Sequence, residues 1–403
     1  MLTVAEARER VLGAVAPLDT EFVTVGDALG RVVAEDVTAP HSLPRFDNSA
    51  MDGYALRAAD TAGAPVRLRL VGEVRAGDPG NVHLERGTAV RIMTGAPLPA
   101  GADAVCQVEL TEEQDDLVLV SEETPARRHV RPAGDDVAAG ARVVAAGDEL
   151  RPGELALLAS LGRSPITVFR IPRVAVLVTG DELVAPEEDP GPGQIRDSNG
   201  VALRGLVAEA GGMVVRSQIV PDGLDATLDA FTHAADDADL VVSSGGVAVG
   251  KYDYVKEAVE KLGRIDVWRV AMQPGKPVVL GALGPTPFLG LPGNPVSIHV
   301  GFEQFVRPAL RRMRGCSSLL RPVVTARLTE SIQKPPGRLH FVRVRLASAG
   351  DEWSATPTGR QGSHIQSSLV GCHGVARFPA DETRLERGAA VAVEVWRLPE
   401  SEQ

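Results

Sequence analysis

The chain has 403 residues, more than one ordinary hydrophobic core can hold, so roughly two to four domains are expected. Its formal net charge of -11 argues against nucleic-acid binding, because no basic stripe is available to neutralise phosphates. The N-terminus lacks an apolar signal core and no apolar run of about 18 residues occurs, so no membrane span and a cytoplasmic location are expected. Cys106, Cys316 and Cys372 are too far apart for a metal motif, and buried inert thiols are expected.

The first part of the chain is predicted to be mostly β-structure between two helices. Apolar residues at helical spacing predict a helix over 3–16, and a similar stretch predicts another over 153–162. Between them, 21–140 contains short alternating apolar runs separated by Gly and Pro, which is typical of strands and turns.

From about residue 172, short apolar strands alternate with helices. This pattern predicts a parallel, doubly wound sheet, because strands buried on both faces do not alternate in polarity. A helix is expected over 296–313, and the alternation over 341–346 predicts a small β-domain from about 317. The predicted buried strands are 174–178, 213–215 and 239–243, and the predicted helices between them are 201–210, 224–235 and 254–262.

The strongest single motif is the glycine-rich segment 243–253, which joins a predicted buried strand to a predicted helix. Open α/β sheets bind ligands at the carboxyl ends of their strands. Glycines let the backbone approach a phosphate closely, and the helix that follows offers free N–H groups. The alternative is an ordinary glycine-rich turn in which Asp253 only caps the helix.

Two proline-containing loops follow. In 290–297, Asn294 and Pro295 predict a helix start, and the stiff loop is a candidate anion-facing wall. In 274–277, Lys276 lies between prolines and can pair with a phosphate or oxyanion as a point charge. The alternatives are a helix start without a further role and an ordinary exposed lysine.

Several acidic residues are predicted at the same edge of the sheet. Asp181 and Glu182 come directly after a strand, and with Asp222 and Asp253 they would surround one crevice. Mg²⁺ commonly binds through one or two carboxylates together with substrate phosphate. The alternative is a set of helix caps and solvated acids.

Other segments are unusual in composition without revealing a role. The segments 44–55 and 91–96 are dense in small, polar and aromatic residues. Arg343 lies in an alternating strand and His364 in a turn, where a solvated arginine and a structural histidine are the ordinary readings. The sequence has no nucleophile elbow, HExxH motif, Walker A loop or dinucleotide-binding glycine motif.

Taken together, these segments resemble the molybdopterin molybdenumtransferase family, which includes the E domain of gephyrin. The resemblance extends from about residue 3 to residue 397, and a series of six motifs in one order is far more specific than any one of them. The motifs are FDNSAMDGYA (46–55), RIMTGAPLPAGADAV (91–105), VTGDEL (178–183), SSGGVAVGKYDY (243–254), PGKP (274–277) and LPGNPVS (291–297).

The resemblance implies a multidomain α/β plus β fold. Its centre is a doubly wound α/β molybdopterin-binding domain, joined by an inserted β-rich domain, a small split N-terminal domain and a C-terminal β-barrel-like domain. The expected boundaries are 1–20 with 40–46 and 140–171 for the split domain, 21–39 with 47–139 for the inserted domain, 172–316 for the α/β domain and 317–403 for the C-terminal domain.

The resemblance also implies an enzyme of molybdenum cofactor biosynthesis that inserts molybdate into adenylylated molybdopterin and releases AMP, with Mg²⁺ as cofactor. A homodimer is implied, with each active site between the α/β domain of one subunit and the inserted domain of the other. Expected protein partners are a molybdopterin adenylyltransferase and apo-molybdoenzymes. The alternatives are a molybdopterin adenylyltransferase and a non-catalytic, gephyrin-like scaffold.

Individual residues take roles from the matching motifs. Catalytic roles are implied for Asp52, Glu182, Asp222, Asp253 and Lys276, and metal binding for Glu182, Asp222 and Asp253. Substrate-binding roles are implied for Thr94, Asp136, Ser244, Gly245, Gly246, Gly250, Pro277, Pro292, Asn294, Pro295, Ser297, Arg343 and Ser363.

Within this set, two groups have more specific expectations. The group expected to reach the partner subunit's cleft is Asp52, Thr94 and Asp136. The group expected to surround molybdate is Lys276, Pro277, Ser297, Arg343 and Ser363. Gln273 and Arg269 stand where many or some family members have lysine, so molybdate binding is expected to depend more on Lys276 and Arg343.

Overall fold

Three six-stranded sheets dominate the part of the chain that the structure describes. The structure is a computed structural model, and it describes residues 1–246, 254–350 and 352–399. No helix among these residues is both long and apolar enough to cross a membrane. The three cysteines are buried and carry free thiols, as predicted.

The first helix, Val4–Gly13, begins with a capping box. Glu6 N donates to Thr3 Oγ1 at 3.2 Å, and Thr3 N donates to Glu6 Oε2 at 2.7 Å. Val4, Ala7 and Val11 are buried against the core of the central α/β region. The predicted helix over 3–16 is therefore present, and it ends three residues earlier than predicted.

The N-terminal sheet has a buried apolar cluster on each face. Gly53 must be glycine because a Cβ there would lie 2.0 Å from the carbonyl oxygen of Cys106 on the neighbouring strand. In spatial order the strands are Ala104–Gln107, Gly53–Leu56, Thr88–Ile92, Val66–Val74, Leu117–Val120 and Thr111–Gln114. Short 3₁₀ helices at Ala58–Thr61 and Val108–Leu110 adjoin it.

A second N-terminal region is built from segments far apart in the chain. Thr20–Val23 pairs with Ile166–Phe169, and Val37–Thr38 pairs with Arg142–Val144. These pairings join residues 20–38 to the 140–171 segment. They favour assigning 21–39 to the split domain rather than to the inserted domain. The predicted boundaries themselves stay a prediction. The remaining elements here are Val25–Asp27, helix Pro152–Ser160, and the pair Asn48–Ser49 with Val130–Arg131.

The central sheet is covered by helices on both faces, so the doubly wound architecture is confirmed. The predicted strands pair in parallel, as expected. Two further strands that the pattern did not predict complete the sheet, and Pro277–Leu283 is antiparallel to both of its neighbours because a two-residue turn joins it to Thr286–Leu291. The order is Met213–Val220, Arg173–Thr179, Leu240–Ser244, Thr286–Leu291, Pro277–Leu283 and Gly263–Arg269. The helices are Ser198–Glu209, Leu224–Asp237 and Tyr254–Leu262, and Leu183–Val184 pairs with Ile195–Arg196 beside them.

The predicted single helix over 296–313 is interrupted. It consists of Pro295–Gly301, a π-helical turn at Phe302–Val306, and Arg307–Met313. The π-turn buries the polar residues Glu303 and Gln304 in succession. Glu303 pairs with Arg321 at 2.9 Å, and Gln304 Nε2 donates to Glu394 Oε2 at 2.6 Å, so this turn ties the helix to the C-terminal domain.

The C-terminal domain is a closed five-stranded barrel, which confirms the barrel-like prediction. Met272–Gln273, from the central region, pairs in parallel with the start of the barrel's longest strand and so joins the two domains. Around the ring the strands are Leu339–Ala349, Glu352–Pro357, Val323–Leu328, Ala390–Val395 and Gly374–Phe378. Ile332–Gln333 pairs with Arg384–Leu385, and Gln366–Leu369 is a 3₁₀ helix.

Candidate functional site

Two adjoining cavities lie at the carboxyl edge of the central sheet. The first, of about 550 Å³, also touches the barrel. Its lining consists of Gly246, Gln273, Pro274, Gly275, Lys276, Pro277, Pro292, Gly293, Asn294, Ser297, Arg338, Gln361, Gly362 and Ser363. The second, of about 350 Å³, is lined by Val178, Thr179, Gly180, Glu182, Leu183, Ile195, Asn199, Asp222, Thr227, Ser244, Gly245, Gly246, Tyr254, Val255 and Gly293.

The first cavity is cationic. Lys276 and Arg338 are half-buried in its lining, which contains no described acidic residue. Neither side chain has a hydrogen-bond or ion-pair partner among the residues that the structure describes. Two unpaired positive charges in a concave site attract an oxyanion, so we name this the cationic cavity.

The wall of the cationic cavity joins two domains. Asn294 Nδ2 donates to Ser363 Oγ at 3.2 Å, and Val296 N donates to the Ser363 carbonyl at 3.1 Å. Asn294 occupies the N-cap position as predicted, but its side chain makes no cap hydrogen bond because it reaches across to the barrel instead. Pro295 starts the helix and does not line either cavity. Ser297 is buried in the cationic cavity's lining.

Arg343 lies behind this wall and does not line either cavity. Its side chain is fully buried, and its guanidinium donates to the carbonyls of residues 360–362 at 3.2–3.3 Å and to Ser368 Oγ at 3.1 Å. Burial lowers the pKa of Arg343 to about 10, so it is still charged at neutral pH. These donors hold the loop that ends at Ser363, and the expected place of Arg343 around molybdate stays a prediction.

The second cavity is acidic. Glu182 and Asp222 are in its lining, which contains no described lysine or arginine. Gly180 makes room for one of these carboxylates, since a Cβ there would lie 2.5 Å from Glu182 Oε2. Asp222 N donates to Asp181 Oδ1 at 2.9 Å, which fixes the start of the Asp222 loop. We name this the acidic cavity.

The acidic cavity has a donor set suited to Mg²⁺. The ion favours oxygen ligands and commonly uses one or two carboxylates, with water and substrate phosphate completing its shell. No cluster of three or more His, Cys, Asp or Glu side chains suited to a metal occurs within the described ranges. Two predicted site residues, Gly250 and the third predicted metal ligand, Asp253, lie outside those ranges.

Gly246 and Gly293 line both cavities, and together they form what we call the glycine wall. The loops that carry them are linked by Gly245 N, which donates to the Leu291 carbonyl at 3.1 Å. Gly246 has φ +62, and a Cβ there would lie 2.3 Å from Val255 Cγ2. Because there is no room for a side chain at Gly246, only the backbone separates the two cavities at this point.

Asp52, Thr94 and Asp136 are exposed on the N-terminal part of the chain and line neither cavity. Thr94 donates to Asp52 Oδ1 at 2.7 Å from both its N–H and its hydroxyl group. These hydrogen bonds, the backbone one first, hold the pKa of Asp52 below its ordinary value. The structure thus joins two of the three residues to each other, and their predicted role at a partner's cleft stays a prediction.

The structure brings several of the predicted site residues into one lining, including Lys276, Pro277, Pro292, Ser297 and Ser363. Among the lining residues that sequence reasoning did not single out are Asn199, Tyr254, Arg338 and Gln361. The only available signal for Arg338 was its position after Gly337, just before a strand, which by itself does not distinguish a ligand from a solvated arginine.

Comparison with known protein families gives matches along nearly all of the chain. The MoeA N-terminal region (domain I and II) matches residues 2–162. A probable molybdopterin binding domain matches residues 175–312, and the MoeA C-terminal region (domain IV) matches residues 325–396.

The chain is also similar to whole proteins. It is 40% identical over 390 residues to molybdopterin molybdenumtransferase 2 of Mycobacterium tuberculosis, covering 93% of this chain and 94% of that protein. It is 37% identical to molybdopterin molybdenumtransferase of Haemophilus influenzae, covering 98% of both. A solved molybdopterin biosynthesis MoeA protein from Pyrococcus horikoshii has a TM-score of 0.85 at 34% identity, covering 98% of this chain and 99% of that one. The chain therefore belongs to the molybdopterin molybdenumtransferase family, as its six ordered motifs predicted.

Proposed function

We propose that this chain transfers molybdenum from molybdate to the dithiolene of adenylylated molybdopterin, with release of AMP. The observation that carries the proposal is the contact between a cationic and an acidic cavity across the glycine wall. The reaction needs two anionic reactants side by side, one a free oxyanion and the other a phosphoanhydride. Matches to the N- and C-terminal regions argue against an adenylyltransferase built from the central domain alone.

In this proposal the cationic cavity holds molybdate. Lys276 and Arg338 supply positive charge, and the hydroxyl groups of Ser297 and Ser363 supply hydrogen bonds. Arg343 supports the site from behind by fixing the loop that carries Ser363. Holding molybdate beside the dithiolene supplies a proximity effect that can be worth roughly 7–11 kcal/mol.

The acidic cavity holds the phosphate side of the pterin substrate. Glu182 and Asp222 would repel a bare phosphoanhydride, so a divalent cation is needed between them and the substrate. Mg²⁺ bound there would neutralise charge on the anhydride. Asp253 is included as a third ligand on the strength of its motif alone.

The proposed chemistry balances as two linked substitutions. The two dithiolene sulfurs replace two molybdate oxygens, which leave as water with protons from the thiols and the solvent. Water adds to a phosphorus of the anhydride, and the P–O bond to AMP breaks. Lys276 stabilises the oxyanion during the first step, and the two carboxylates would hold the divalent cation that faces the anhydride during the second.

The direct test is incubation of the protein with adenylylated molybdopterin, Mg²⁺ and molybdate, with AMP and protein-bound molybdenum measured together. AMP and a molybdenum-loaded pterin should appear in equal amounts. Consumption of ATP with free molybdopterin would instead favour the adenylyltransferase alternative. A protein that binds the substrate without releasing AMP would contradict the proposal.

The proposal includes a cytoplasmic homodimer with sites shared between subunits, which hands its product to apo-molybdoenzymes and receives substrate from a molybdopterin adenylyltransferase. What supports sharing is that Asp52, Thr94 and Asp136 are exposed and absent from the cavity linings of their own chain. Mixing Asp52→Asn protein with the double variant Glu182→Gln and Asp222→Asn, each inactive alone, should after subunit exchange restore about a quarter of wild-type activity, because half of the dimers are mixed and each has one intact site. Absence of any recovery, with exchange verified, would contradict a shared site.

A further inference from the structure

Asn199 is a residue of the acidic cavity to which neither the motifs nor the proposed chemistry gives a role. It is half-buried near the start of the helix Ser198–Glu209. Its Nδ2 donates to the Gly293 carbonyl at 2.8 Å and to Ser244 Oγ at 3.2 Å. Since the Gly293 carbonyl can only accept, the amide nitrogen and not the oxygen must face it. One side chain therefore touches both loops that form the glycine wall.

The start of the helix that carries Asn199 is held in place by contacts that do not involve the glycine wall. Asp197 is buried and caps the helix, with Gly200 N donating to Asp197 Oδ1 at 2.7 Å. Gly200 fits closely beneath it, because a Cβ there would lie 2.2 Å from Asp197 Oδ2. Asp197 N also donates to the Val184 carbonyl at 2.9 Å. The amide of Asn199 is thus presented from a fixed point.

The glycine wall, by contrast, has no side chain of its own to brace it. The backbone bond from Gly245 N to the Leu291 carbonyl, at 3.1 Å, joins its two loops at one level. Asn199 joins the end of one strand, at Ser244, to the facing loop at Gly293, two residues beyond Leu291. The two strands are themselves paired as far as Ser244 and Leu291, so Asn199 is the side chain that holds the loop at Gly293 beyond the last paired residues.

We propose that Asn199 is a positioning residue that fixes the glycine wall and thereby the separation between the two reactants. This inference rests on the proposed function, because the wall matters for catalysis only if both cavities are occupied at once. A small displacement of either reactant costs much in rate, since even a 1 Å misplacement can cost about a hundredfold. Asn199 acts through Ser244 and Gly293, so the affinity of the cationic cavity for molybdate alone should depend little on it.

The test compares Asn199→Ala and Asn199→Asp with Ser198→Ala, a neighbouring substitution that does not touch the wall. Asn199→Asp keeps the shape but replaces the donor that faces the Gly293 carbonyl with an oxygen. We expect kcat for AMP release to fall about tenfold in both Asn199 variants, with the Kd for inorganic molybdate within about twofold of wild type. Ser198→Ala should retain the wild-type kcat.

Hydrogen exchange gives a readout that does not depend on activity. Amides in the peptides covering 240–246 and 289–297 should exchange about tenfold faster in Asn199→Ala than in wild type and Ser198→Ala. Unchanged exchange, a full kcat in Asn199→Asp, or a molybdate Kd raised in parallel with the loss of kcat would each overturn the positioning role. If the wild-type protein released no AMP, the proposed function would fail, while the exchange data would still decide whether Asn199 holds the wall.

Discussion

The two cavities share a wall, yet their charges are opposite. Among described lining residues, one has Lys276 and Arg338 without an acid, and the other has Glu182 and Asp222 without a cation. An oxyanion can bind the first directly, whereas a phosphate can enter the second only with a divalent cation. Two anionic ligands can therefore be held close together in two different ways. One pairs directly with positively charged side chains, and the other is bridged by a divalent cation to carboxylates.

The largest effect should come from the acidic cavity. The double substitution Glu182→Gln and Asp222→Asn keeps the shape and removes both charges, so the bridging cation loses its protein ligands. AMP release should fall at least about a hundredfold, and the Mg²⁺ concentration for half-maximal rate should rise. Asp225→Asn, on the exposed face of a nearby helix, is the matched control and should change neither quantity. An unchanged Mg²⁺ dependence in the double variant would remove the basis for a metal-bridged phosphate.

A smaller effect is expected from Lys276→Met, which removes an unpaired charge from the cationic cavity. The Kd for molybdate should rise about thirtyfold, equivalent to roughly 2 kcal/mol, with little change in the Mg²⁺ dependence. Isothermal titration with molybdate measures the first quantity and an AMP assay the second. Lys261→Met, in an exposed helical ion pair, provides the control. Equal losses of molybdate and Mg²⁺ binding would show that the cavities are not separate in charge.

Arg338→Gln should weaken molybdate binding by about fivefold, less than the lysine substitution, because Arg338 approaches from the barrel side and Lys276 remains. The weakening should shrink as salt is added, since screening reduces the attraction that has been lost. Titrations at two ionic strengths measure this. Arg345→Gln, exposed on the barrel strand that follows Arg338, should have no effect. A loss that does not depend on salt would assign Arg338 a purely structural role.

Substitution of His340 should have the smallest effect on activity at neutral pH. This residue lies in the barrel strand that follows Arg338. His340 is buried, both ring nitrogens lack partners among described residues, and burial, with Arg343, Lys334 and Arg338 adding repulsion, lowers its pKa to about 4. As pH falls below about 6.5, this histidine becomes protonated in the unfolded chain but stays neutral in the folded protein. The free energy of unfolding should therefore decrease by up to about 3 kcal/mol between pH 6.5 and pH 4. Above pH 6.5 the contribution of His340 to that free energy is constant.

Urea unfolding at several pH values measures this decrease. His340→Gln should lose that part of the pH dependence, even if its stability at neutral pH is lower. His233→Gln, on an exposed helix surface, should retain it. A His340 variant with the full acid dependence would exclude this histidine as its source.

Much of the fold could be predicted from local pattern. Helical spacing located the helix at Tyr254–Leu262 to the residue, and the apolar run at 174–178 located a central strand. The pattern did not predict the last two strands of the sheet, Pro277–Leu283 and Gly263–Arg269. Apolar strands at the sheet's edge give the same sequence pattern whether they pair in parallel or antiparallel, and the two-residue turn decided the matter.

The candidate site divides in the same way. The loops around Gly246, Lys276 and Pro292 could be predicted because special backbone residues at strand ends are visible in sequence. Arg343 could not be placed, since period-two alternation identifies one face of a strand but not whether that face meets solvent or another domain. Asn199 gave no signal at all, because an asparagine in the first turn of a helix is ordinary until two distant loops are found beside it.

The sequence by itself determined the family, the strand-and-helix order and the chemical character of the loops, because these depend on residues close together in the chain. Only the tertiary structure decided that those loops divide into a cationic and an acidic cavity, that a barrel arginine completes the first, and that Asn199 joins both sides of the wall. Those facts depend on distances between residues far apart in the chain, such as Asn199 and Gly293, which are 94 positions apart, and such distances are set by packing of whole domains rather than by local preference.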